Sequence, residues 1–316
     1  MKTTLLRIPS FDSGVFLSMI AKRPARKTSF TGEEIILFVH GSVSPGCCWD
    51  VSLPGGSWME YAASRGFMTY AFDFRGYGLS TRPASMQEEA SANPPYCRTA
   101  DAVRDLAAAV AWILREHAVL RIHLVGWSWG CVVAGQYTAG NNDKVARLGL
   151  YAPVHILPEA SPDTDDHYRS ITEAAYRKSA LLGIPEGREE EIFPLEWFNR
   201  VWEKVLASDS YGSTMSPPVM RAPTGCAKDM HAFFSHGAST YDPGGITVPT
   251  LICVGEWDLV TPVATALMLF QALTGSPERR LEVLPESTHF MLHEKNRMML
   301  LKQMHHFLEG GELEPR

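Results

Sequence analysis

The segment Gly126-Trp127-Ser128-Trp129-Gly130 constrains this chain more than any other stretch. An apolar run, Arg121–Val125, leads into it, and small and apolar residues, Cys131–Ala139, follow it directly. Two glycines within five residues, with no room for a loop, demand a sharp turn from strand into helix. Gly126 and Gly130 remove side chains where backbone segments crowd, and Ser128 is thrust out at the apex. The helix then points its N-terminus at any negative charge that forms near the serine. From Ile35 onward the order strand, helix, strand, helix, strand, helix, strand implies a parallel sheet with helical crossovers.

The rest of the chain agrees. Leu5–Phe11 and Val15–Lys22 read as a hairpin around Asp12-Ser13-Gly14. Ile35–Val39, the run IILFV, suits a strand buried on both faces. A helix over Trp58–Arg65 and a strand over Phe67–Phe72 follow. Val103, Leu106, Ala109, Val110, Ile113 and Leu114 recur at helical spacing within Asp101–His117. Val145–Tyr151 is a further strand. From Pro153 to Gly245 no comparable strand is predicted, only helical segments at Asp166–Leu182, Glu196–Leu206 and Ala227–Phe234. That interval is too long for an ordinary connection and reads as an inserted lobe. The sheet pattern resumes with strands Thr250–Val254 and Arg280–Leu284, a helix over Val263–Leu273 between them, and a final helix over Met291–Leu308. The last few residues are expected to fray. The predicted fold class is α/β: an eight-stranded, mostly parallel sheet, with 1–153 and 246–316 as core and 154–245 as a helical cap.

Composition bears on what such a fold would meet. Apolar residues at 45% against 20% charged exclude a wholly disordered chain. The formal charge of −6 gives no general attraction to nucleic acid or anionic membrane. No run of 18 apolar residues occurs, so no membrane span is expected. The opening MKTTLLRIPSFDSG has no apolar secretion segment, from which a cytoplasmic location is the default. The six cysteines form no C-x-x-C pair and read as free thiols.

A serine hydroxyl is a poor nucleophile unless a base takes its proton. His289 lies just past the strand Arg280–Leu284, and Asp258 just past Thr250–Val254. Both belong in loops at the same carboxyl edge of a parallel sheet that presents Ser128. Asp258 would orient the imidazole, and His289 would act as base and then as acid. Four residues past His289, His293 is the rival base; Glu256 is the rival acid. The oxyanion hole needs two backbone N–H groups. One is assigned to Trp129, the other to Ser42 in the loop His40-Gly41-Ser42-Val43, with Val43 second. His40 is read as a loop organiser, and Asp73 as a residue that pins two loops together. Val43, Trp127, Trp257, Trp197, Phe198 and Phe290 are candidates for an apolar substrate pocket. Cys131 is read as a buried structural thiol, and His305-His306 as a solvated helix face.

The pieces VHG at 39–41, DFRGYGLS at 73–80, GWSWG at 126–130, GEWDLVTP at 255–262 and STHF at 287–290 together resemble the α/β-hydrolase superfamily with a helical cap. The resemblance spans about residues 33–152 and 248–309. It implies the order Ser128, Asp258, His289 for the triad, with Ser42 and Trp129 as oxyanion donors. Relatives with an aspartate nucleophile are excluded by Ser128. The HGGPG loop of proline iminopeptidases is replaced by His40-Gly41-Ser42-Val43-Ser44-Pro45-Gly46, and the HGGG loop of hormone-sensitive-lipase relatives is absent. Haloperoxidase-like esterases and carbon–carbon bond hydrolases remain.

The expectation is a serine hydrolase that cleaves a small to medium apolar carboxylic ester or lactone through an acyl-enzyme. It calls for a small-molecule substrate, no metal and no organic cofactor, and leaves homo-oligomerisation open. A carbon–carbon bond hydrolase acting on a diketone-like substrate is the alternative within enzymes, and an arginine pointing from the cap or from the helix starting at Pro262 would favour it. A non-catalytic small-ligand receptor on the same fold is the alternative outside them.

Overall fold

The computed structural model describes residues 1–156 and 162–311. Residues 157–161, within the predicted cap, and the predicted frayed end at 312–316 lie outside the described part.

In chain order the core begins with strands β1 (Lys2–Pro9), β2 (Phe16–Arg23) and β3 (Ile35–Val39), then helix α1 (Trp58–Ser64) and strand β4 (Met68–Phe72). Helix α2 (Thr99–His117), strand β5 (Ile122–Trp127), helix α3 (Trp129–Ala139) and strand β6 (Val145–Tyr151) complete its first part. An inserted region carries strand β7 (Tyr168–Ile171), helices α4 (Glu173–Ala180), α5 (Glu189–Ile192) and α6 (Leu195–Ala207), strand β8 (Met220–Pro223) and helix α7 (Gly225–Ala232). Strand β9 (Thr250–Gly255), helix α8 (Val263–Ala272), strand β10 (Arg279–Leu284) and helix α9 (Arg297–Leu308) return the chain to the sheet.

The eight core strands lie in the order β1-β2-β4-β3-β5-β6-β9-β10, parallel except for β2, which runs antiparallel to both neighbours. Every residue of β3, β4, β5 and β9 is buried. That is why these segments are largely apolar, with Thr69, His123 and Thr250 buried among them: helices cover both faces of the parallel part. The predicted α/β sheet is therefore present with its eight strands. β1, at the edge, faces water along most of its length. The helices follow from local chemistry as well. Ser57 caps α1, its hydroxyl accepting from the Glu60 N–H at 3.0 Å while the Glu60 carboxylate accepts from the Ser57 N–H at 2.7 Å. Leu106, Ala109, Val110 and Ile113 form the fully buried stripe of α2.

The cap is helical but not purely so. Residues Asp166–Leu182, expected as one helix, divide into β7 and α4, and β7 pairs antiparallel with β8, Tyr168 opposite Pro223. The partner strand lies some fifty residues downstream, so no local period could signal it. Thr172 ends the strand and caps α4, its hydroxyl accepting from the Ala175 N–H. Among the described residues, no helix is long and apolar enough to cross a membrane.

The order places β4 on one side of β3 and β5 on the other. At such a reversal the loops leaving neighbouring strands diverge and open a crevice at the carboxyl edge. The loop after β3, the turn after β5 and the loops after β9 and β10 all leave from this edge, beneath the cap.

Candidate active site

Ser128 stands between β5 and α3 with φ 56° and ψ −122°, a backbone conformation that L-residues rarely adopt. Its own N–H donates to the Tyr151 carbonyl at 3.0 Å, which ties the turn to β6. The two glycines make the turn possible. A Cβ on Gly130 would sit 2.3 Å from the Val39 carbonyl oxygen and 2.5 Å from that of His40. One on Gly126 would sit 2.7 Å from the Gly130 oxygen. Neither position has space for a side chain. Cys131 is buried, its thiol donating to the Tyr151 carbonyl at 3.2 Å, and burial pushes its pKa well up.

Across the crevice, His289 Nδ1 lies 2.9 Å from Asp258 Oδ2. The carboxylate is held at every oxygen. Oδ1 accepts from the N–H groups of Val260 and Thr261 at 2.9 and 2.7 Å, and Oδ2 accepts from the Thr261 hydroxyl at 2.9 Å. With its remaining bond Oδ2 accepts from His289, so Nδ1 carries the proton and Nε2 keeps its lone pair. The His289 carbonyl is fixed in turn by the Tyr151 hydroxyl at 2.6 Å and the Trp127 indole N–H at 3.1 Å. Sequence reasoning missed Thr261 and Tyr151 in these roles.

Glu294 was missed too. It is fully buried, one carboxylate oxygen accepting from the Thr288 N–H at 3.0 Å and the other from the Thr288 hydroxyl, which anchors the loop that carries His289. Burial raises its pKa to about 7, against those two hydrogen bonds. A carboxyl whose pKa is higher folded than unfolded binds its proton more tightly in the fold. It therefore favours folding below the unfolded value of 4.5, and that contribution is lost as pH rises through about 7. The stability gained by Glu294→Gln over the parent should thus grow between pH 5 and pH 8, by about 1–3 kcal/mol. Denaturation midpoints at the two pH values check this; a constant difference would contradict it.

The rival groups point elsewhere. His293 is buried against Phe193 and Trp127, its pKa lowered to about 3 by burial. The Glu256 carboxylate accepts from the Glu286 N–H in an exposed turn.

The loop after β3 is organised by His40. Its Nε2 accepts from the Phe74 N–H at 3.1 Å, so Nδ1 bears the proton and donates to the Gly41 carbonyl at 2.7 Å. Burial lowers the pKa of this ring to about 4, so it is neutral at pH 7. A trans peptide holds its C=O and N–H antiparallel. Fixing the Gly41 carbonyl therefore fixes the direction of the Ser42 N–H. Gly41 itself lies against the turn, since a Cβ there would be 3.2 Å from Ser128 Cβ. Trp129, as the first residue of α3, has no carbonyl one turn back to accept its N–H. Asp73 joins two loops, accepting from Gly46 N–H at 2.7 Å and Leu79 N–H at 3.0 Å.

A cavity of about 80 Å³ is lined by Gly41, Ser42, Val43, Ser44, Trp127, Ser128, Ser179, Val260, His289 and Phe290. It brings together the proposed nucleophile, base and oxyanion loop. Of the six pocket candidates, Val43, Trp127 and Phe290 line it. Trp257, Trp197 and Phe198 do not. Arg188 covers the Trp257 ring at 5.2 Å. Phe198 is buried among Tyr176 and Phe193 inside the cap, and Trp197 is half-buried and packs against the hydrophobic core. His305, expected on a solvated face, is fully buried, its Nε2 accepting from the Trp58 indole at 3.1 Å. It lies four residues after the buried Leu301, on the inward stripe of α9.

A family model described as the alpha/beta hydrolase family matches residues 36–298. The chain is 27% identical over 254 residues to a non-heme chloroperoxidase of Burkholderia pyrrocinia, covering 74% of this chain and 77% of that one. It is 25% identical over 256 residues to a pimeloyl-[acyl-carrier protein] methyl ester esterase of Chromobacterium violaceum, covering 75% and 83%. Among solved structures, a thermophilic esterase from Thermogutta terrifontis superposes with a TM-score of 0.61 at 18% identity, over 98% of this chain and all of the other. That last likeness concerns the fold alone.

Proposed function

Because this chain belongs to the alpha/beta hydrolase family, we propose that it is a serine hydrolase that cleaves small to medium apolar carboxylic esters or lactones through an acyl-enzyme. The observation that supports this most is the Asp258–His289 pair at 2.9 Å, on a ring that shares one cavity with Ser128.

In this reading His289 Nε2 takes the Ser128 proton as Oγ bonds to the substrate carbonyl carbon. The carbonyl oxygen becomes an oxyanion, and the N–H groups of Ser42 and Trp129 donate to it. As the tetrahedral centre collapses, the bond to the leaving oxygen breaks and His289 returns the proton to that oxygen. Water then adds to the acyl-enzyme, losing its proton to His289, and a second collapse frees the acid and restores Ser128. Asp258 keeps the imidazole in the productive tautomer and stabilises its charged form.

The substrate class follows from the cavity. Its side-chain lining is Val43, Trp127, Val260 and Phe290 with four serines and His289, and no lysine or arginine belongs to it. An uncharged acyl group suits such walls, and the volume favours a short one. The diketone alternative would gain from a cap arginine aimed into the cavity. Two cap arginines lie near the core without lining the cavity, Arg169 on the Ser42 carbonyl and Arg177 over the Phe198 ring. The name of the methyl ester esterase relative points the same way.

The test pairs turnover of a panel of short-chain to medium-chain aryl esters and lactones with intact mass after a fluorophosphonate. One adduct on Ser128 and ester turnover are expected. An adduct on another residue, or neither adduct nor turnover, would overturn the reading; ligand binding without turnover would favour the receptor.

A further inference from the structure

Arg169 stands on β7 of the cap and reaches back to the core. Its Nη2 donates to the Ser42 carbonyl at 3.2 Å and lies 3.4 Å from the Ser42 hydroxyl. Among the described residues its guanidinium has no carboxylate within ion-pair distance, and its buried Nε has no partner. A half-buried cation without a counter-ion is uncommon on a surface that holds so many paired arginines. What it touches gives it a use.

The Ser42 carbonyl belongs to the Ser42–Val43 peptide, whose N–H is antiparallel to it. Holding the carbonyl therefore aims the Val43 N–H, and Val43 lines the cavity beside Ser128. The core supplies one other tie, the Tyr77 hydroxyl at 3.0 Å from the Ser42 oxygen, but its single proton is shared with the Pro223 carbonyl at 3.3 Å. Two consecutive peptides of the loop are thus tied from different sources: Gly41–Ser42 by His40 of the core, Ser42–Val43 by Tyr77 of the core and Arg169 of the cap together.

We propose that Arg169 is a positioning residue through which the seated cap orients the Ser42–Val43 peptide of the oxyanion loop, so that the Val43 N–H joins those of Ser42 and Trp129 in facing the oxyanion. This rests on the serine hydrolase reading and deepens it: the loop is in its productive arrangement only when the β7–β8 hairpin is docked, so cap closure and transition-state stabilisation are coupled.

The test compares the parent with Arg169→Met, Arg169→Lys and Tyr168→Phe, on the most active aryl ester of the panel. Tyr168→Phe removes the hydrogen bond from the Tyr168 hydroxyl to the Glu88 carbonyl, a cap contact that leaves Ser42 untouched. Arg169→Met is expected to lower kcat about ten- to a hundred-fold with KM within twofold, since a misaimed donor costs less than a deleted one. Affinity for a trifluoromethyl ketone, which forms a tetrahedral adduct on the serine, should fall in parallel. Arg169→Lys should recover part of both losses, and Tyr168→Phe should leave both unchanged. An Arg169→Met kcat within twofold of the parent overturns the proposal, as does a rise in KM at constant kcat. Equal losses in Tyr168→Phe also overturn it, because loosening the cap anywhere would then suffice. If the parent neither turns over ester nor labels on Ser128, the hydrolase reading fails and this inference with it; an active parent with an indifferent Arg169 sinks the inference alone.

Discussion

Ser128→Ala is expected to lower kcat for the best ester by roughly 10⁴- to 10⁶-fold and to abolish the fluorophosphonate adduct. The change removes one oxygen and leaves the turn otherwise intact. The φ of 56° is strained for alanine as for serine, and the N–H tie to Tyr151 is a backbone bond. Folding should therefore survive, and the loss should fall on kcat with KM little altered. Turnover above the uncatalysed rate would persist, because the oxyanion donors and the cavity remain. Single-turnover kinetics with intact mass measures both effects. A variant that keeps a tenth of the parent rate would exclude Ser128 as nucleophile.

Asp258→Asn should cost roughly 10³- to 10⁴-fold in kcat with an almost unchanged melting temperature. The direction follows from the hydrogen bonds. Oδ1 accepts from two backbone N–H groups, so the amide oxygen of an asparagine must take that place. Its NH₂ then occupies the position of Oδ2 and faces His289 Nδ1. A donor there obliges Nδ1 to accept, and the ring proton moves to Nε2, the atom that has to receive the serine proton. The Thr261 hydroxyl, which donates to Oδ2 in the parent, can rotate to accept from the new amide. A loss of less than tenfold would show that the carboxylate does not set the tautomer.

The residues proposed for the chemistry were legible because each follows a segment that reads as a strand of the parallel sheet. Ser128 comes after β5, Asp258 after β9 and His289 after β10, and in a parallel sheet those ends share one edge. Glu294 carried no such signal, since it sits between His293 and Lys295 in a polar stretch. His305 carried one, since it falls on the same helical stripe as Leu301 and Leu308. The cap was harder. β7 and β8 are four residues each, and their pairing joins segments far apart in sequence. Trp197, Phe198 and Trp257 matched the expected pocket in type alone, because composition does not say which face an aromatic ring turns to.

By itself the sequence determined the α/β sheet, its strand boundaries to within a few residues, the tight turn at Ser128 and the order of the candidate triad. All of these are recorded in local periods and in residues adjacent along the chain. Only the tertiary structure decided which groups hold those residues in place: Tyr151 and Trp127 on the His289 carbonyl, and Arg169, 127 positions away, on Ser42. Such contacts depend on how separate elements pack, and packing leaves no period in the sequence.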